Sequence, residues 1–114
     1  MTDTHHRWLV RDGVVLASLE VPQGRKGRGR GLLGRDHFSG AMLIEQVRSV
    51  HSFRMRFPLD IAVLDGDGVV IKTLLLPPNR VTAPMIHAHS ILEAEAGAFG
   101  SWELKIGDQL EVSE

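Results

Sequence analysis

The stretch His51-Ser-Phe-Arg-Met-Arg-Phe-Pro-Leu-Asp-Ile-Ala-Val-Leu-Asp-Gly-Asp-Gly-Val-Val-Ile71 decides the fold class. Leu, Ile, Ala and Val run into Asp65-Gly-Asp-Gly68 and out again into Val69-Val70-Ile71, the pattern of two antiparallel strands joined by a tight turn. The same stretch gathers His51, Arg54, Arg56 and Asp60 within ten positions. It therefore predicts both a hairpin and a cluster of polar groups at one place.

Outward from this hairpin the chain continues as short extended segments. Trp8-Leu9-Val10, the turn Asp12-Gly13 and Val14–Val21 read as a first hairpin, stopped by Pro22 and Gly24. Residues 23–35 lose the alternation and become rich in Arg, Lys and Gly. They predict a short helix closed by Gly34, against the roughly 1 kcal/mol that each internal glycine costs. Strands are expected over 40–47, 49–55, 59–64 and 69–76, the last halted by Pro77-Pro78. Residues 79–87 read as a loop, 90–95 as a strand, 97–102 as one helical turn and 109–112 as a final strand. The sum is a mainly β (α+β) domain of about seven short strands with one or two short helices. A small twisted, closed or half-closed β-barrel would hide the strand edges that such a set leaves open.

At 114 residues the chain is long enough for one core, so a single domain over 1–114 is expected, with the first six residues mobile. It has no cysteine, which excludes disulfides and restricts any metal site to His and carboxylates. The N-terminus has no signal-peptide pattern and no apolar run reaches the ~20 residues of a bilayer span, so a soluble, cytoplasmic protein is expected. The net charge of −1 is unevenly laid out. Residues 1–56 carry most of the Lys and Arg, and 57–114 most of the Asp and Glu. Either the two parts interleave around one core or the basic part meets an anionic partner.

Five stretches taken together resemble the DUF192 family of small bacterial and archaeal domains. They are Arg28-Gly-Arg-Gly-Leu-Leu-Gly-Arg35, Gly40-Ala-Met-Leu43, Val50-His-Ser-Phe-Arg-Met-Arg-Phe-Pro-Leu-Asp-Ile-Ala-Val-Leu-Asp65, Ile91-Leu-Glu-Ala-Glu-Ala-Gly97 and Ile106-Gly-Asp108. The resemblance runs in order from about residue 14 to 112. It implies a compact β-rich domain with short helices and brings no established activity. Gly29, where the family tends to have Ala, weakens the expected helix, and the loop 77–90 is this chain's own version of a variable region.

The leading candidate site is His51, Arg54, Arg56, Asp60 and Arg80. On extended chain His51, Phe53 and Met55 share a face. His51 is then either a buried imidazole satisfied by Asp60 or a backbone carbonyl, or the rim of a pocket. Asp60, in an apolar strand, needs a partner such as Arg54, Arg56 or Arg80, because an unpaired buried carboxylate costs several kcal/mol. Other motifs carry less. Gly29-Arg-Gly-Leu-Leu-Gly34 has the letters of a dinucleotide fingerprint without its strand and long helix. Residues 25–35 are basic but have no aromatic interleaving, so nucleic-acid binding there is an alternative and not the main reading. His87-Ala-His89 would need a third ligand to hold a metal. Asp65-Gly-Asp-Gly68 begins like a calcium loop, but Leu76 stands where the closing Glu belongs.

No nucleophile signature is present. The sequence thus reads as a ligand- or partner-binding accessory module for a small molecule or protein, without a cofactor or a membrane segment. The alternative is a small hydrolase or lyase using His51 and Asp60 as acid and base.

Overall fold

The computed structural model describes residues 4–24 and 38–114. The helix expected over 23–35 lies, from residue 25 onward, outside the described residues, as does the glycine motif 29–34.

Among the described residues seven strands and one short helix follow in chain order. They are β1 (Thr4–Arg11), β2 (Val14–Pro22), β3 (Ala41–Glu45), β4 (Leu59–Leu64), β5 (Val70–Leu76), β6 (Ser90–Glu95), α1 (Ala98–Ser101) and β7 (Glu111–Ser113). The strands form one sheet in the order β5-β4-β6-β3-β2-β1-β7, in which only the β2–β3 pair is parallel. Both expected hairpins are present. Asp12 and Gly13 take positive φ in the first turn. In the second, Asp65 Oδ1 accepts the N–H groups of Asp67 (2.9 Å) and Val69 (3.0 Å), a short polar side chain doing the work of a turn. Gly68 is required there: its φ is +81°, and a Cβ would lie 2.6 Å from the Leu110 carbonyl oxygen.

Alternation along each strand sends side chains to two faces, and both faces are buried. One carries Leu9, Leu19, Leu43, Ala62, Leu64, Leu92 and Ala94 beneath Phe99 and Leu110. The other carries Met42, Ile44, Leu59, Ile61 and Ile91 against Phe38, Val50, Met55 and Phe57. Two-sided burial explains why β4 and β6 read as nearly continuous apolar runs.

Two expectations are corrected. The sheet does not close into a barrel. Its edge strands meet at one end only, through the bridge Val69–Gln109 and the bonds Val70 N–H to Asp108 O (2.8 Å), Gly107 N–H to Val70 O (2.8 Å) and Leu110 N–H to Gly68 O (2.9 Å). β7 has three residues, and the register shift that leaves Ile71 without a partner on β4 bends β5, so no ladder continues from that contact. Nor is 49–55 a strand. The chain turns there, with Met55 N–H bonded to Ser52 O (3.1 Å) and Arg54 at φ 63°, a single bridge from His51 to Val81 being its extended remnant.

Candidate functional site

The turn at 52–55 determines where the predicted site residues go. The segment 48–54 lies against 79–85, and the two are cross-bonded along their length. Met85 N–H donates to Arg48 O (2.8 Å), Thr82 N–H to Val50 O (2.9 Å), Ser52 N–H to Arg80 O (2.8 Å) and Asn79 N–H to Ser52 O (2.7 Å). Ser52 is fully buried at the centre of this crossing. Its hydroxyl donates to Pro77 O and accepts from Arg80 N–H (3.0 Å). Asn79 Oδ1 takes the N–H of Arg54 (2.9 Å), which holds that residue in its left-handed conformation.

His51, Arg54 and Arg80 thereby lie on two adjacent, cross-bonded segments, with Arg48 on the first of them and Arg56 just beyond it. Half-buried His51 stacks on Phe53, ring centroids 5.2 Å apart at 23°, and its Nδ1 accepts the Phe53 N–H (3.3 Å). An accepting Nδ1 assigns the ring proton to Nε2 in the neutral form. Phe53 is 48% exposed and Met55 is buried, so the two do not share a face as an extended chain would place them. Val81, the bridge partner of His51, is 58% exposed and Ile86 is 77% exposed.

The charge of this surface is one-sided. Segments 46–58 and 77–89 contain Arg48, Arg54, Arg56 and Arg80, and neither contains an Asp or Glu. All four arginines are exposed. Among the described residues no ion pair involves Arg48, Arg54 or Arg80.

Asp60 takes its hydrogen bonds elsewhere. Its Oδ2 accepts the N–H groups of Gly97 (2.9 Å) and Phe99 (3.1 Å), satisfying orphan donors at the start of α1 from a neighbouring strand. It lines a shallow cleft with Thr73, Leu75, Phe99 and Leu104. No hydrogen bond or ion pair joins it to His51, Arg54 or Arg80 among the described residues. His87 and His89 are exposed, and among the described residues no group of three His, Asp or Glu side chains is placed to hold a metal.

Two residues that the sequence reading passed over stand out. One is Ser52, an ordinary polar letter inside the motif. The other is Glu93, which sits mid-strand on β6, opposite Met42 on one side and Ile61 on the other. It is only 3% exposed. Burial alone pushes its carboxyl up from 4.5 to about 7. The signal in the sequence was its place between Leu92 and Ala94 in the Ile91–Gly97 motif. An alternating strand normally sends such a residue to water.

The fold defines a small β-rich domain with a core on both sides of its sheet and two cross-bonded loop segments that carry arginines. The DUF192 family model, described as an uncharacterized ACR, matches residues 8–112, and the chain belongs to that family. No curated protein matches the sequence. Two solved structures share the fold. One is a Sinorhizobium meliloti protein provisionally described as a transcription regulator, with TM-score 0.75, 21% identity, and 98% of this chain and 97% of that one covered. The other is a protein of unknown function from Novosphingobium aromaticivorans, with TM-score 0.72, 16% identity, and coverage of 95% and 84%. Among the described residues no helix is long and apolar enough to cross a membrane.

Proposed function

We propose that the protein is a binding module whose loop face, formed by His51, Phe53, Arg54, Arg56 and Arg80 with Arg48 and Val81, receives an acidic protein surface. The observation that carries this reading is the cross-bonded pair of segments bearing Arg48, Arg54 and Arg80 and no carboxylate. The cross-bonds already hold the backbone, so binding spends little on ordering it. Exposed aromatic and aliphatic side chains beside guanidinium groups are the composition in which interface energy concentrates. Arginine's planar fork matches carboxylates in pairs. Asp60 is not part of this face: its carboxylate accepts the amides at the start of α1.

The acid–base alternative has less support. His51 Nδ1 and the Asp60 carboxylate are each occupied by backbone amides, in different parts of the molecule.

Fluorescence anisotropy with a labelled peptide rich in Glu and Asp and carrying one aromatic residue tests the reading. Binding that weakens with salt is expected, and the double variant Arg54→Ala, Arg80→Ala loses about tenfold or more in affinity, on the order of 1.4 kcal/mol. Lys105→Ala, which removes an exposed charge elsewhere, leaves it unchanged. Equal loss in all variants, or none in the double variant, contradicts the assignment. His51→Ala is expected to weaken the peptide while leaving the melting temperature nearly unchanged.

A further inference from the structure

We propose that two copies of the chain associate by antiparallel pairing of their β5 edges, about a two-fold axis through Leu74. The backbone directions follow from the ladder, in which hydrogen-bonded and non-hydrogen-bonded pairs alternate. The Leu64 carbonyl is taken by His89 N–H (2.9 Å), on the β6 side. Val63 and Ile61 therefore turn their main-chain groups towards β5, and Ala62 and Asp60 away from it. Their β5 partners respond in kind: Lys72 and Leu74 point inward, Thr73 and Leu75 outward.

Among the described residues the outward groups of Thr73 and Leu75 have no partner strand, because β5 ends the sheet. Both residues are exposed, Leu75 to 57%. Edge strands are ordinarily protected by proline, charge, a bulge or a covering segment. Here the bulge is at Ile71, the covering segment 107–110 reaches only to Val70, the prolines begin at Pro77, and the one charge is Lys72. None of these protects 73–75.

The opening fits a second copy better than a long foreign strand. The main-chain groups of Val70 already bond to Gly107 and Asp108, and Pro77 has no N–H, so pairing is confined to the stretch between. An axis through Leu74 sets Thr73 against the partner's Leu75 in two symmetric hydrogen-bonded pairs, which uses every free outward group of that stretch. Lys72 then faces the partner's Leu76, and no like charges are opposed. The partner's Leu75 falls beside the cleft of about 340 Å³ lined by Thr73, Phe99, Gly100 and Leu104, and its apolar surface is covered there.

Sedimentation velocity from micromolar to millimolar concentration tests this. The mass of the natural chain is expected to rise from 12.6 kDa towards its double. Leu75→Lys stays monomeric at every concentration, with an unchanged circular-dichroism melt. Because the chain has no cysteine, Leu74→Cys gives a clean second arm. A non-hydrogen-bonded pair brings the two Cα atoms to about 4.5 Å, within disulfide reach. Mild oxidation is thus expected to link Leu74→Cys into a dimer and to leave Val112→Cys, on the opposite edge, unlinked. A natural chain that stays monomeric throughout, association that persists in Leu75→Lys, or linking at position 112 in place of 74 overturns the proposal.

Discussion

Glu93 shows how much one side chain can impose on a small sheet. Its folded-state pKa, about 7, stands above the 4.5 of the unfolded chain. Between those values the folded protein holds a proton that the unfolded chain has released, so stability falls as pH rises through the window and stays low above it. The shift corresponds to an effect on the order of 3 kcal/mol. Melting curves at the two ends of the window are expected to show the natural protein losing stability towards neutral pH, and Glu93→Gln is expected to flatten that dependence. A variant as pH-dependent as the natural protein would mean that another group titrates. Ser52 works by the opposite means, through satisfied bonds and no charge. Ser52→Ala leaves the Pro77 carbonyl and the Arg80 N–H without their hydroxyl partner. A loss of about 1–3 kcal/mol is expected in chemical denaturation. Ser52 was not legible in the sequence and Glu93 only through its apolar neighbours Leu92 and Ala94, because the letter at a position does not say whether the next layer covers it. His51 was partly legible: its neighbour Phe53 followed from the spacing, while its Nδ1 takes a backbone amide and neither Asp60 nor a backbone carbonyl is seen as its partner among the described residues.

Among the elements, those framed by turn chemistry were the most readable. Asp12-Gly13 and Asp65-Gly-Asp-Gly68 specify their hairpins locally, and β6 and α1 also fall where alternation and the glycine at 97 place them. The segment 49–55 misled because Phe53 and Met55 alternate like strand residues. Arg54 at positive φ and the turn bond from Met55 to Ser52 break the alternation, and both depend on Asn79, a contact from a distant loop. α1 is equally dependent on a neighbour. With four residues and no side-chain cap of its own, it takes the Asp60 carboxylate as the acceptor for its first amides. Asp60→Ala is expected to cost about 1–2 kcal/mol and to speed hydrogen exchange at Gly97 and Phe99. Asp60→Asn, which keeps an oxygen at that place, is expected to cost less. Equal behaviour of the two variants would show that the cap contributes nothing.

Across the whole molecule, charge and topology are one problem. The basic first part and the acidic second part interleave in the strand order, and Arg7 with Glu114 and Arg11 with Asp108 (3.0 Å) pair across it. Among the arginines of the described residues, this pairing leaves Arg48, Arg54 and Arg80 without an ion pair. Sequence could show the unequal halves but not which arginines would be matched, since that depends on β7 returning beside β1. The barrel expectation failed for a related reason: closing the sheet needs β7 long enough to follow β5, and three residues are not. Nuclear magnetic resonance mapping of amide shifts during titration with the acidic peptide addresses the binding surface directly. Shifts concentrated in 48–56 and 79–87, and absent from the Arg54→Ala, Arg80→Ala variant, are the expected result. Shifts spread over the sheet edges or confined to other loops, with those two segments silent, would contradict it.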